Sequence, residues 1–268
     1  MQSVVNGFRN VCMAAVVAAF AGCSGGDAVN SLERMGLRGN VRSLDVSAYE
    51  AKACGGTVTK GSRVDDMQSC CSYRFDERGY VTGTEYLCGG HVVKWEEFVY
   101  DGSGRPERIV SRSVRYGGDR TVEFEWNGRC HVRRTFDEEG NEVSEERTEW
   151  RRNRSESVAV GGDGSVTFRT RYKRGLPVRQ ERTAADGTEV LKYSYDGNGN
   201  PVRVERFVNG AAAGSAEMTY TVFDGAGNWT FRTVYRMAEG GERVPYRIEE
   251  RKITYYYCLL YTSPSPRD

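Results

Sequence analysis

Lys192-Tyr193-Ser194-Tyr195-Asp196-Gly197-Asn198-Gly199-Asn200-Pro201-Val202-Arg203-Val204 decides how the rest of the chain is read. Apolar and polar residues alternate on either side of a glycine-rich turn, which is the pattern of an antiparallel β-hairpin. Its core is an aromatic residue, Asp, two further residues and Gly, here Tyr195, Asp196 and Gly199. The same core stands at Phe75-Asp76 with Gly79, Tyr100-Asp101 with Gly104, Phe136-Asp137 with Gly140, and Phe223-Asp224 with Gly227. A local mechanism accounts for it. The aromatic ring closes the strand over a core, the Asp side chain accepts from backbone amides two residues on, and Gly takes a positive φ.

Outward from that hairpin, turn signals continue, among them Gly89-Gly90, Asn127-Gly128, Arg174-Gly175, Asn209-Gly210 and Gly240-Gly241. Between them the period is two. Val122, Phe124 and Trp126 oppose Thr121, Glu123 and Glu125; Val166, Phe168, Thr170 and Tyr172 oppose Thr167, Arg169, Arg171 and Lys173; Trp229, Phe231, Thr233 and Tyr235 oppose Thr230, Arg232 and Arg236. One face is therefore aromatic and branched, the other a lattice of Arg, Glu and Thr. Only Asn30-Ser31-Leu32-Glu33-Arg34-Met35 reads as a short helical turn, capped by Asn30 or Ser31 and ended by Gly36. With no amphipathic helix to cover it, the apolar face must be covered by the sheet itself. The expected fold is all-β, an antiparallel meander of repeated β-hairpins forming a curled or closed sheet over residues 40–257.

The aromatic-Asp turns resemble the YD-repeat family of bacterial envelope and secreted proteins, which includes the rearrangement-hotspot proteins. The resemblance covers roughly residues 70–257. Asp-to-Asp intervals of 25, 36, 59 and 28 residues show whole units degenerated. Gly36-Leu37-Arg38-Gly39-Asn40-Val41-Arg42-Ser43-Leu44 also resembles the opening of small YD-type lipoproteins. The resemblance implies hairpin architecture, whereas about 230 residues are too few for the cargo-holding shell of the large relatives.

The N-terminal residues carry an address. Arg9 precedes an apolar run from Val11 to Phe20, the length of a signal-peptide core and too short to span a bilayer as a helix. Phe20-Ala21-Gly22-Cys23 resembles the lipobox of bacterial lipoproteins, with Phe20 where Leu is usual. That resemblance implies a signal peptide over 1–22, a lipidated Cys23 as the new N-terminus, and a tether with the short helical turn over 23–39. Ser24 after the cysteine implies an outer-membrane destination. At the other end, residues 258–268 (Cys258-Leu259-Leu260-Tyr261-Thr262-Ser263-Pro264-Ser265-Pro266-Arg267-Asp268) look like a translated sequencing adapter and are set apart from the fold.

Once Arg9, Arg267 and Asp268 are removed, 36 basic residues balance 36 acidic ones. A neutral body argues against a nucleic-acid partner, whose binding rests on excess positive charge. Of the cysteines, Cys12, Cys23 and Cys258 fall in the signal, the anchor and the adapter-like end; Cys54, Cys70, Cys71, Cys88 and Cys130 remain. An exported chain meets an oxidising compartment, so a bridge from Cys54 to Cys70 or Cys71 is expected, with Cys88 competing for the remaining thiol. No CxxC pair exists, and neither a metal site nor a cofactor is expected.

Candidate chemistry is sparse. Asp196 to Asn200 imitates the start of a calcium loop, but Phe207 stands where the bidentate Glu belongs. His91 and His131 are expected as surface strand residues. Glu96-Glu97, Glu145-Glu146 and Glu249-Glu250 offer carboxylates, yet adjacent strand residues point to opposite faces. Tyr116, Trp150 or Tyr246 could stack on sugar rings. The sequence thus points to a non-catalytic binding or scaffolding module of the bacterial envelope, held to the membrane by its lipid anchor and facing a glycan or an envelope protein. The alternative is an envelope polysaccharide hydrolase using a carboxylate pair.

Overall fold

The computed structural model describes residues 30–256, apart from 68, 115–117, 129, 152–153, 162–165 and 239. The expected export signal and tether, Cys23, Tyr116 and residues 257–268 lie outside the described residues. A short helix α1 (Ser31–Arg34) precedes β1 (Val41–Cys54), β2 (Thr57–Arg63), β3 (Cys71–Phe75), β4 (Val81–Cys88), β5 (His91–Tyr100) and β6 (Pro106–Ser113). There follow β7 (Arg120–Asn127), β8 (Cys130–Phe136), β9 (Glu142–Arg151), β10 (Arg154–Gly161), β11 (Thr167–Lys173) and β12 (Leu176–Ala184). The last five are β13 (Gly187–Tyr195), β14 (Pro201–Val208), β15 (Ala211–Phe223), β16 (Trp229–Met237) and β17 (Arg243–Tyr255). All belong to one 17-stranded antiparallel sheet, and the chain is the all-β hairpin meander that its period of two and its turns require.

From β3 to β17 each strand pairs with the next in sequence. The sheet curls until its two ends meet at β1. Ser43, Leu44, Asp45 and Val46 face Thr254, Ile253, Lys252 and Arg251 of β17 on one edge, and Arg74, Tyr73, Ser72 and Cys71 of β3 on the other. Farther along β1, Tyr49 to Cys54 pair with β2 instead, so β2 is a flap beside the circuit. Directly opposed residues share a face. Leu44 therefore lines up with Tyr73 and Ile253, and that face holds the core.

The core has two apolar centres. Leu32 and Leu37 from the N-terminal segment pack with Val41, Leu44, Tyr73 and Val81. Tyr193, Val204, Ala216, Met218 and Val234 form the second. Each fully buried Val or Leu contributes about 1.5–3 kcal/mol by leaving water.

Two readings need correction. On β16 the structure buries Trp229 and Thr233 as expected, but also Arg232 and Val234 of the other face, with Phe231 and Tyr235 only half-buried. The cause is two register shifts opposite β15, between Tyr220 and Val222 and between Val222 and Phe223, which break the alternation after Trp229. The second concerns the cysteines: Cys54, Cys70, Cys71 and Cys88 are thiols, with no bridge from Cys54. Val46 is the residue opposite Cys71, and Cys54 lies eight residues farther along β1. At about 3.3 Å per residue that is roughly 26 Å, against a disulfide's Cα span of under about 7 Å. The Cys70 thiol instead donates to the Val64 carbonyl and that of Cys88 to the Asp65 carbonyl.

Candidate functional site

Five turns share one construction. In each, the amide of the Asp donates to the carbonyl four residues on, and the Gly amide donates back to the Asp carbonyl, at Asp76, Asp101, Asp137, Asp196 and Asp224. One carboxylate oxygen accepts the amide two residues on at 2.9–3.1 Å. It also accepts the amide four residues on at 2.8–2.9 Å. Gly79, Gly104, Gly140, Gly199 and Gly227 sit at φ between +80° and +85°, where an L side chain is strained. Asp196 thus serves a turn and its oxygens are occupied by its own loop. Burial alone would raise the Asp101 carboxyl, but the Arg105 amide and the Ser103 hydroxyl and amide outweigh it and hold it below the usual range; at Asp137 the side-chain and backbone amides of Asn141 do the same. For Asp224 burial alone would raise the value, but the Tyr255 hydroxyl and the Asn228 and Ala226 amides outweigh it and lower it.

A sixth turn of the same backbone form carries no Asp: the Ala238 amide donates to the Glu242 carbonyl, and the Gly241 amide to the Ala238 carbonyl. Another repeated bond is absent from the sequence motif. An aromatic side chain near the end of one strand donates to the carbonyl of the first residue of the strand before it or its neighbour. The pairs are Tyr100 to Val81 at 2.9 Å, Trp126 to Pro106 at 2.8 Å, and Tyr195 to Pro177 and Tyr220 to Pro201, both at 2.6 Å. Proline suits that position because it supplies a carbonyl and needs no partner for an N–H.

Because neighbouring strands are antiparallel, the turns β3–β4, β5–β6, β13–β14 and β15–β16 lie at one rim, and the β8–β9 turn at Asp137 lies at the other. Residues 30–40 cover the first rim. Asn30 caps α1 by accepting from the Glu33 amide at 3.0 Å and reaches the Arg78 carbonyl. The Leu32 amide meets the Gly79 carbonyl, and Ser31 accepts from the Val81 amide. On the far side, buried Asn228 accepts from the Arg38 amide at 2.7 Å and donates to the Arg38 carbonyl at 2.9 Å. The Arg38 guanidinium also bonds Asn198 at 2.6 Å. One short segment therefore clasps three hairpin turns.

The wall that faces outward is charged. Arg134 joins Glu125 at 2.8 Å and Glu145 at 3.1 Å, Arg171 joins Glu156 at 3.2 Å, and Arg203 joins Glu217 at 3.1 Å. Arg169, Arg171 and Lys173 of β11 are exposed on one face. A lipid-facing strand would lose about 2–4 kcal/mol for each such cation at the bilayer midplane.

The glutamate pairs divide between the faces as adjacent strand residues must. In each, the less exposed member is engaged by a base: Glu96 by Lys94 at 2.7 Å, Glu146 by Arg133 at 3.1 Å, and buried Glu249 by the Arg232 Nε at 2.7 Å. His91 is exposed as expected, whereas His131 is 1% exposed. It sits on the inner face opposite Trp126, with ring centroids 4.4 Å apart, because the β7–β8 register pairs the two. Burial, with Arg34 and Arg133 nearby, pushes its pKa down to about 4. Tyr246 does not offer an open ring: the Arg236 guanidinium lies 3.4 Å from its centroid and it packs on the second core centre. Trp150 lies in β9, whose side chains at that position are not described.

The inner arginines of β16 and β17 were not legible beforehand. Arg247, Glu249 and Arg251 alternate along β17 onto the face of Val234 and Arg232. Alternation alone says only that they share a face, and their charge suggested the outer one.

No protein family and no curated protein matches the chain. Among solved structures, a porin-like protein from Bacteroides uniformis aligns with 80% of this chain and 98% of its own, at 10% identity and a TM-score of 0.49.

Proposed function

We propose that the protein is a non-catalytic, YD-repeat-like lipoprotein of the bacterial envelope, tethered through Cys23 and presenting its charged outer wall to a glycan or protein partner. The observation that carries the non-catalytic reading is the state of the three glutamate pairs. A glycosidase needs two carboxyls facing each other, one kept protonated by its surroundings. Here the inner member of each pair is ion-paired with Lys94, Arg133 or Arg232, and its neighbour in the pair points to the opposite face. The lipobox supports the anchor. Cys23 precedes Asn30 by seven residues, a reach of at most about 25 Å, so the clasped rim would face the bilayer and the wall would stand clear of it.

Two experiments test this. Cys23→Ala is expected to move the protein from the membrane fraction to the soluble one; unchanged membrane association removes the lipoprotein reading. Incubated with envelope polysaccharide, the protein is expected to release no reducing ends. Release that disappears in Glu249→Gln would replace the binding module with the hydrolase.

A further inference from the structure

Arg251 is the strongest unexplained group in the molecule. Its side chain is largely buried, and its guanidinium stacks on the Trp229 ring at 3.6 Å. Its Nε and Nη1 are buried with no hydrogen-bond partner, and among the described residues no acceptor or carboxylate is paired with it. A guanidinium carries five donors and keeps its charge, so enclosing it without an acceptor is costly. On the same inner face Arg232 is paired with Glu249, and Arg247 lies 3.9 Å from Asp66. Burial first, and then the charge of Arg232, pull the Arg251 pKa down to about 9.

We propose that this inner face of β16 and β17 binds a small oxyanion, a carboxylate or phosphate group, with Arg251 as its principal ligand. Arg251 supplies the unoccupied donors of the fork, and a planar guanidinium matches such oxygens in pairs. Trp229 holds the fork flat from one side. Arg232, already turned toward this face by its bonds to Glu249 and to the Tyr220 hydroxyl at 3.3 Å, adds positive charge beside it. The site is independent of the outer wall and of the anchor, and no acid-base chemistry is assigned to it.

The test is a titration of the full chain with phosphate and, separately, with acetate, at constant ionic strength, followed by calorimetry, thermal unfolding and tryptophan fluorescence. Saturable binding of at least one anion is expected, with a rise in the unfolding temperature. The emission change should vanish in Trp229→Phe, which keeps a stacking ring but removes the reporter. Arg251→Met, which keeps the stem and removes the fork, should weaken binding at least tenfold. If that variant does not fold, Arg251→Lys is expected to fold and to bind more weakly than wild type, because it retains charge without the planar fork. Phosphate binding without acetate, or the reverse, would identify the preferred group. Absence of saturable binding of both anions by the wild-type chain, or undiminished binding by a folded Arg251 variant, overturns the assignment.

Discussion

Asp224→Ala is expected to destabilise the protein by roughly 2 kcal/mol in chemical denaturation, because it leaves the Ala226 and Asn228 amides and the Tyr255 hydroxyl without their acceptor. The pH dependence has a definite sign. Asp101, Asp137 and Asp224 have depressed folded pKa values, so their stabilisation is fully present above the unfolded value of about 3.9 and is lost as pH falls through the folded ones. His131 acts in a higher window. Its folded pKa of about 4 lies below the unfolded 6.5, so the unfolded chain takes up the proton first and stability falls between those values as pH drops. The full effect is on the order of 3 kcal/mol. His131→Phe, which keeps a ring against Trp126, should flatten the unfolding profile between pH 4 and 6.5; an unchanged slope would assign that window to another group. Glycine replacements separate strain from sterics. Gly104 and Gly140 have φ of +80° and +85°, but a Cβ at Gly104 would collide with the Tyr80 hydroxyl while one at Gly140 meets nothing within 4 Å. Gly104→Ala should therefore cost more than Gly140→Ala.

At the scale of the hairpin, the turn at Ala238 makes the Asp contribution measurable as a gain. Its backbone bonds are those of the five Asp turns. Ala238→Asp should stabilise by about 0.5–1 kcal/mol by supplying the missing acceptor, and a loss of stability would mean that the side-chain oxygen is not what holds these turns. Tyr195→Phe and Tyr220→Phe should each cost about 1 kcal/mol through the lost bonds to Pro177 and Pro201. The same contrast explains what the sequence disclosed. The Asp turns are local, five residues bonded to themselves, so spacing reveals them. Ala238 is invisible by that criterion because its backbone makes the turn without the marker residue. Face assignment failed on β16 for a related reason: register shifts opposite β15 are set by pairing, and a strand read alone keeps a strict period of two. The expected Cys54 bridge failed because sequence proximity across a loop ignored the length to which β1 runs on. His131 and Arg251 were hidden because alternation sorts residues into two faces without saying which one is enclosed.

For the whole molecule, residues 30–40 tie together turns that lie far apart in sequence, and Leu32 and Leu37 carry that segment into the main core. Leu37→Ala is expected to cost about 2–4 kcal/mol. Arg38→Ala, which spares the backbone bonds to Asn228, should cost less. The lack of an amphipathic helix pointed to a curled or closed sheet, but no local pattern named the strands that join, since the pairing of β17 and β3 with β1 links residues far apart in sequence. Hydrogen exchange reads that pairing at β1. With β1 paired along both edges, the amides of Ser43 to Val46 should exchange as slowly as those of an interior strand such as β14. Fast exchange in alternate residues of that stretch, the mark of one unpaired edge, would contradict the account.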